Sequence, residues 1–408
     1  MKKYRVKPYQ SYYYYKRRKM MTRRFICASV LVVLIFTMLV VTEQIKLQDV
    51  AVSFSQEQTK TLERVEPIYL DPDAAKYDVH MTPTPVKGVY LPATHMSRLD
   101  TLIDLTKETE VNAIVIDIKN DLGYLTFATD NPLLVHAVQE NPKIPNIQEV
   151  MDKLYEANIY PIARIVSFKD NVTTVANPEQ RVKAKDGTPF ETSKGEKWLN
   201  PYDKRNWDYL LEVSKEAIKL GFKEIQFDYI RFHESMEGKD LDFPEDQSKI
   251  DIITEFTKYM YEHLHPYGVA VSADVFGTII TSKVDARIVG QDYKELAKNL
   301  DYICPMIYPS HYGEGSFGIN YPDLNPYELI LEVMQYSNMV IQEIPRSERR
   351  AEVRPWLQDF TASWLGNYQE YGDDQVKDQI RATYDALGKE WIFWNGAGKY
   401  HSGGLEKE

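Results

Sequence analysis

Three aspartates stand at the ends of short apolar segments, where a carboxylate could do acid–base chemistry. Asp117, Asp228 and Asp274 each alternate with apolar neighbours, which would turn the carboxylate to the opposite side of a β-strand. Two carboxylates that flank a glycosidic bond can hydrolyse it, one as an ionised nucleophile or base and the other as a protonated acid. We therefore expect Asp228 and Asp274 to be the catalytic pair and Asp117 to bind substrate.

The same acids have a second interpretation, as partners in buried ion pairs. Lys119, Arg164 and Arg231 lie close to them in the pattern and could neutralise them. Either arginine could instead orient Asp228 or hold a substrate hydroxyl or carboxylate. Both interpretations place these basic residues beside the aspartates.

Other residues at or just after the segment ends can hydrogen-bond to a sugar or stack on its ring. Aromatic rings with a polar tip suit such contacts, although packing at the top of a domain would use the same residues. With Asp117, the predicted substrate-binding residues are Lys119, Arg164, Arg231, Tyr308, His311, Tyr312, Trp356, Gln358, Trp394 and Asn395.

Eight short apolar segments carry these residues, and seven stretches that can form amphipathic helices separate them. Such strand–helix alternation indicates a parallel sheet, and eight strands predict an α/β fold, a closed (β/α)8 TIM barrel, whose chemistry lies at the C-terminal strand ends. Few residues follow the last strand, so we expect the eighth helix to be missing or replaced. The predicted strands are 88–92, 112–119, 160–168, 224–232, 269–276, 301–308, 353–359 and 390–395.

Alternation along each strand predicts which side chains enter the barrel. Ile225, Phe227 and Tyr229 should face the helices, so that Asp228 faces the interior. By the same argument Asp274, Asp117 and Lys119 face inward. The long connections 169–205 and 309–325 follow strands and should border one cleft over the catalytic face.

The N-terminus predicts a membrane anchor. Residues 1–42 carry ten Lys/Arg and no Asp/Glu, and 25–41 form a run of 17 apolar or small residues. Basic residues before an apolar run place that flank in the cytosol. We expect a cytosolic arm at 1–24, an uncleaved single-pass signal anchor at 25–41, a stalk at 42–85, the barrel at 86–400 and a tail at 401–408. A cleaved signal peptide is the alternative.

Charge and motif content exclude several function classes. Because the whole chain is −11, residues 43–408 carry −21, which argues against a nucleic-acid groove. The sequence has no P-loop and no G-x-S-x-G elbow, and its His263 and His265, two apart on a predicted helix, cannot bind one metal together. We expect neither a cofactor nor a metal. The two cysteines, Cys27 and Cys304, give no disulfide framework.

Several runs of the sequence resemble a bacterial family of barrel proteins described as the putative glycoside-hydrolase domain. The most specific is F-D-Y-I-R-F at 227–232, and the resemblance covers about 85–400. More distant similarity is to α-amylase-like barrels, whose nucleophile would match Asp228, and to chitinase-like barrels, whose M-x-Y would match 306–308. Position 274 is Asp where the amylase-like acid is Glu, and strand four lacks the chitinase-like Glu. The resembling runs are 87–90, 116–121, Gly123, 163–164, 226–232, 272–277 and 306–312.

These observations favour a membrane-anchored, extracytoplasmic glycoside hydrolase that acts on a cell-wall or exopolysaccharide glycan through Asp228 and Asp274. The alternative is a non-catalytic glycan-binding barrel or a scaffold for cell-envelope assembly. The distance between the carboxyl groups and the presence of an open cleft would discriminate the two. The sugar, the linkage, the stereochemical outcome and the oligomeric state stay open at this level.

Overall fold

A computed structural model of the chain describes residues 78–80, 84–348 and 350–405. Its strands are short and, except for the two-residue strand Glu352–Val353, mainly buried, as the apolar segments predicted. In chain order they are β1 Lys87–Leu91, β2 Ala113–Lys119, β3 Tyr160–Val166, β4 Glu224–Asp228, β5 Ala270–Phe276, β6 Tyr302–Met306, β7 Glu352–Val353, β8 Trp356–Gln358 and β9 Trp391–Trp394.

The strands close into a parallel barrel. β1 pairs with both β2 and β9, and pairing continues through β3, β4, β5 and β6. The short strands β7 and β8 both pair with β6, and β8 pairs with β9. Together they occupy the seventh strand position of the barrel. The pairings between these strands are all parallel, and the barrel has eight strand positions, which confirms the predicted fold.

Helices surround the barrel on the connections between strands. Amphipathic segments form the long ones, and Asp203 caps one of the two 17-residue helices by accepting a hydrogen bond from the backbone N–H of Arg205. In chain order they are α1 Leu99–Glu108, α2 Ile147–Glu156, α3 Thr173–Ala176, α4 Lys204–Leu220, α5 Lys249–Leu264, α6 Lys283–Val289, α7 Tyr293–Ala297, α8 Pro326–Gln342 and α9 Asp373–Asp385. After β9, the described residues up to 405 contain a 3-10 turn, Ser402–Gly404, and no α-helix, as expected for the missing eighth helix.

Two apolar layers follow from the alternation of side chains along the strands. Ile114 and Ile116 belong to the large cluster between barrel and helices, and Phe227 packs against Phe256 of α5 in the same layer. A smaller cluster fills the barrel interior and includes Val115 and other inward residues. The predicted directions are therefore correct along the regular parts of the strands.

A buried ion-pair network ties the barrel interior together near the N-terminal strand ends. Arg354, between β7 and β8, pairs with Glu224 of β4 at 2.7 Å and with Glu390 before β9 at 2.6 Å. Its guanidinium lies over the Tyr302 ring at 3.7 Å. Charges removed from water need such partners. The network links three strand positions of the barrel at its N-terminal end.

The predicted arm, anchor and most of the stalk lie outside the described residues. Within the parts that the structure describes, no helix is long and apolar enough to cross a bilayer. The anchor at 25–41 therefore stays a prediction.

Candidate active site

An open cleft of about 460 Å³ lies at the C-terminal mouth of the barrel. Mouths of this kind hold the active sites of barrel enzymes. The cleft joins acidic, basic and aromatic side chains. Its lining residues are Asp121, Arg164, Asp228, Tyr229, Arg231, Asp274, Phe276, Gly277, Thr278, Met306, Tyr308, His311, Tyr312, Trp356, Phe360 and Trp394.

The two predicted catalytic aspartates are neighbours in this cleft. Phe227 and Ala273 are register partners on β4 and β5, and Asp228 and Asp274 follow them one step further on. Adjacent strands lie about 4.8 Å apart, so the two side chains leave the barrel wall side by side. Asp228 is 5% exposed and Asp274 is 1% exposed. Both residues are therefore nearly buried and still line the cleft.

Arg164 holds the Asp228 carboxylate in place. Its Nη2 and Nε donate to Asp228 Oδ2 at 2.6 and 3.0 Å, and its Nη1 donates to Asp117 Oδ1 at 2.7 Å. Asp117 Oδ2 also accepts from the Tyr90 hydroxyl at 2.6 Å. The backbone N–H of Tyr229 donates to Asp228 Oδ1 at 2.6 Å. A charge-assisted set of this kind fixes the orientation of the Asp228 carboxyl group.

Asp274 lies in a different environment. The contact that the structure gives its Oδ1 is the Trp356 indole N–H at 2.6 Å. Burial, and next the neighbouring Asp228 charge, raise the pKa of Asp274 well above the usual range, against the opposing effect of the indole hydrogen bond. The neighbouring aspartates therefore combine an ion-paired carboxylate with one that favours its proton.

Arg231 lines the cleft among aromatic rings. Its guanidinium lies 4.4 Å from the Phe276 ring centroid and 5.2 Å from that of Trp198. Its Nη1 donates to Phe232 O and to Glu234 at 3.1 and 3.2 Å. Burial lowers the pKa of Arg231 from its very high usual value, which leaves it a cation.

Aromatic side chains form the remaining walls. Trp394 stacks on Tyr90 with ring centroids 4.1 Å apart, and its edge meets Trp356. Tyr308 and Tyr312 are nearly buried. A side chain at Gly277 would place a Cβ 2.2 Å from the Tyr312 hydroxyl, so only glycine allows this wall to close. Flat rings of this kind suit a ligand with apolar faces.

Nine of the thirteen predicted site residues line the cleft, and four do not. Asp117 lies below it as the second partner of Arg164. Gln358 fastens a loop, donating to Asp323 Oδ1 and accepting from the Ser310 N–H, both at 3.1 Å. Asn395 donates to Asp359 O and accepts from Ala397 N within the turn after β9.

Lys119 was wrongly expected to face the barrel interior. The β2–β3 register shifts between Asp117 and Lys119, a bulge that turns the side chain out of the alternation. Its Nζ pairs with Asp170 at 2.8 Å and lies near the ring of Tyr209 on α4. The side chain is fully buried and Arg164, not Lys119, neutralises Asp117.

Tyr229 is a second correction to the predicted directions. β4 ends at Asp228, and Tyr229 adopts a left-handed backbone with φ of 52°. This ends the two-residue period, so Tyr229 lines the cleft instead of facing the helices. Its backbone N–H is thereby directed at Asp228.

Sequence reasoning missed other lining residues. Asp121, two residues beyond β2, lies 3.5 Å from Arg164. Burial opposes its ionisation, but Arg164 and Lys169 more than offset this and lower the pKa of Asp121. Its place in the 116–121 run was a usable signal. Phe360 lies on a loop after β8 and carries no such pattern.

The long connections contribute unequally. Loop 309–325 supplies His311 and Tyr312 directly. Loop 169–205 supports the cleft from behind, because its buried Trp198 packs against Tyr229 and Arg231. Both loops were predicted to border the cleft. Loop 309–325 lines it, whereas no residue of loop 169–205 is among the lining residues. Across the described residues, no three His, Cys, Asp or Glu side chains are grouped as metal ligands.

Two solved structures are similar to this barrel in fold, and a third matches part of the chain in sequence. The glycoside hydrolase domain of PgaB (BpsB) from Bordetella bronchiseptica is 14% identical, with a TM-score of 0.57, over 77% of this chain and 95% of that one. α-L-Fucosidase isoenzyme 2 from Paenibacillus thiaminolyticus is 13% identical, with a TM-score of 0.51, over 79% and 47%. A hypothetical protein from Ruminiclostridium thermocellum is 38% identical, with a TM-score of 0.42, over 46% and 97%.

Sequence comparison gives the family. No curated protein sequence matches the chain. The model of the family described as "Putative glycosyl hydrolase domain" matches residues 88–400, which span the closed barrel and every residue that lines the cleft. The chain belongs to this glycosyl hydrolase domain family, as its F-D-Y-I-R-F run and barrel pattern predicted.

Proposed function

We propose that the barrel hydrolyses glycosidic bonds of a cell-wall or exopolysaccharide glycan, with Asp228 and Asp274 as its catalytic residues. The observation that carries this proposal is the pair of adjacent carboxyl groups held in contrasting environments at the barrel mouth. Environments that separate the proton affinities of two acids are what assigns one as acid and the other as base or nucleophile. The family and its barrel fold support the same reaction class.

In this mechanism Asp274 donates its proton to the oxygen of the departing sugar as the glycosidic C–O bond breaks. On one route the Asp228 carboxylate bonds to the anomeric carbon, and Asp274 then takes a proton from the water that breaks this glycosyl ester, which restores both groups. On the other route Asp228 takes a proton from a water that attacks the anomeric carbon directly, after which Asp228 loses a proton to solvent and Asp274 regains one from it. The anomer of the first product, read by NMR, separates the two routes.

A non-catalytic glycan-binding barrel is the second candidate. It is favoured by the hydrogen bonds to both oxygens of Asp228, which leave this carboxylate strongly engaged before any substrate arrives. On this hypothesis the cleft and its rings would bind sugar without hydrolysis. Measuring binding and cleavage separately distinguishes the candidates.

The test is the loss of cleavage in Asp228→Asn, assayed against peptidoglycan glycan strands, chitin oligosaccharides and purified exopolysaccharides. Asn keeps the size of the side chain and removes its charge, so we expect a loss of about 10²–10⁴-fold or more with the fold intact. Asp274→Asn should lose comparable activity, but less on aryl glycosides whose leaving group needs no proton. Circular dichroism checks the fold of each variant.

Asp359→Asn is the matched control. Asp359 is a buried carboxylate near the same end of the barrel, paired with His401 at 2.6 Å, and it does not line the cleft. We expect it to retain activity. A folded Asp228→Asn variant that still cleaves would reject the assignment and make Asp117 the next acid to test. Wild-type protein that binds these glycans and cleaves none would favour the binding role.

We also propose that residues 25–41 span the cytoplasmic membrane and anchor the barrel to its outer side. The support is the basic bias before the apolar run. A surface location would place the cleft beside envelope glycans.

A further inference from the structure

Exposed aromatic side chains occur on the loop that follows β8. Trp364 is 65% exposed and Tyr368 is 43% exposed. Tryptophan is highly buried on average, so a ring this open to solvent points to an interaction site. Between 361 and 369 the loop contains no charged residue.

Trp364 continues the aromatic wall of the cleft outward. Its ring stacks on Phe360, with centroids 6.0 Å apart and planes at 22°. Phe360 lines the cleft and meets the ring of Tyr308 at 5.8 Å and that of His311 at 6.4 Å. The row of rings therefore runs without a break from beside the catalytic acids to the surface.

The loop that presents Trp364 is held at both ends. Asp323, 2% exposed, accepts from the backbone N–H of Gln369 at 3.2 Å and from Gln358 Nε2 at 3.1 Å. The Tyr371 N–H donates to Thr361 Oγ1 at 3.0 Å. Fixing a loop before a ligand arrives reduces the entropy cost of binding.

From this arrangement we propose that Trp364, supported by Phe360, is a distal sugar-binding subsite, so that the cleft takes a polysaccharide chain longer than the sugars at the cleavage point. The inference rests on the proposed glycan function for its ligand class. Flat uncharged rings beside a polar uncharged loop match the apolar faces and hydroxyl groups of a neutral pyranose. The two exposed rings are few for a protein–protein interface, which needs about 800 Å² on each partner.

The experiment measures binding in the full chain carrying Asp228→Asn, so that no probe is consumed. Affinity gel electrophoresis is run against chitin oligosaccharides of two to eight sugars, peptidoglycan glycan strands, β-glucan and purified exopolysaccharides. For the glycan that the parent protein binds, adding Trp364→Ala should weaken the affinity for long chains about tenfold. The affinity for the disaccharide of the same glycan should fall less than twofold. Trp364→Phe should restore much of the loss.

Met339→Ala is the matched control, because Met339 is 56% exposed on α8 and away from the cleft lining. It should leave binding unchanged. Equal retention of long chains by Trp364→Ala and its parent overturns the subsite, and so does the absence of any retained polymer, which would favour a protein ligand. If Trp364→Ala loses the binding of long chains and the wild-type protein cleaves none of these glycans, the subsite is supported and hydrolysis is rejected. The two proposals can therefore fail separately.

Discussion

Asp228 and Asp274 are aspartates at corresponding positions on the neighbouring strands β4 and β5, and their different partners determine the chemistry that each can perform. The guanidinium of Arg164 provides a charge-assisted site for one carboxylate. The other carboxyl group is buried beside the Asp228 charge, and these two effects favour its neutral form against the opposing hydrogen bond from the Trp356 indole. Replacing partners, and not only the acids, should therefore exchange or remove their roles.

The raised pKa of Asp274 predicts the pH dependence of activity. A general acid works only while protonated, so kcat/KM should fall as pH rises through its pKa, and this alkaline limb should lie well above the ordinary aspartate value of 3.8. Folded-state stability should change in the same sense, because a pKa raised by folding contributes stability at low pH that is lost as pH rises through it.

Profiles of kcat/KM and thermal midpoint against pH, for the wild type and Asp274→Asn, check this prediction. Asn cannot titrate, so the alkaline limb on an aryl glycoside and the matching loss of stability should both diminish. An identical alkaline limb in Asp274→Asn would assign it to another group.

Individual elements show where sequence reasoning succeeded and where it could not. The two-residue period of β4 and β5 predicted that Asp228 and Asp274 enter the barrel mouth, because apolar residues must face the helices. It failed at Lys119 and Tyr229, where a bulge and a left-handed residue end the period. Neither leaves a local signal in residue type. Phe360 was missed because its position depends on loop packing against distant residues.

Loop packing makes a prediction at the same scale. Asp323 joins loop 309–325 to the loop after β8 through Gln358 and Gln369. Asp323→Ala removes these acceptors and leaves buried donors unpaired, so both loops should open more often. Hydrogen exchange should rise in 309–325 and 360–371 while β1–β5 stay protected.

Asp378→Ala is the control, because Asp378 makes an i,i+3 pair with Arg381 on the surface of α9 and touches neither loop. It should leave the exchange pattern unchanged. Protection that falls evenly over the whole barrel in Asp323→Ala would show general destabilisation instead of release of the two loops.

At the scale of the whole molecule, an acidic body follows a basic arm. Residues 43–408 carry −21, and the ten basic residues before position 43 have no acidic neighbours in the arm. Within the described residues, the β1–β9 pairing closes the barrel and the Arg354 network links its interior. The prediction of its location rests on the N-terminal charge and apolar pattern.

We predict that the first 24 residues stay in the cytosol and that the barrel lies outside. Arginine and lysine resist translocation across a membrane, whereas the apolar run at 25–41 is near the minimum length that spans one. Protease added to intact spheroplasts should digest the barrel but spare a tag placed at residue 1, and the tag should remain in the membrane pellet after alkaline extraction. A cytosolic marker protein must remain intact as the control. Release of the barrel without its tag would indicate a cleaved signal peptide, and a protected barrel would reject export.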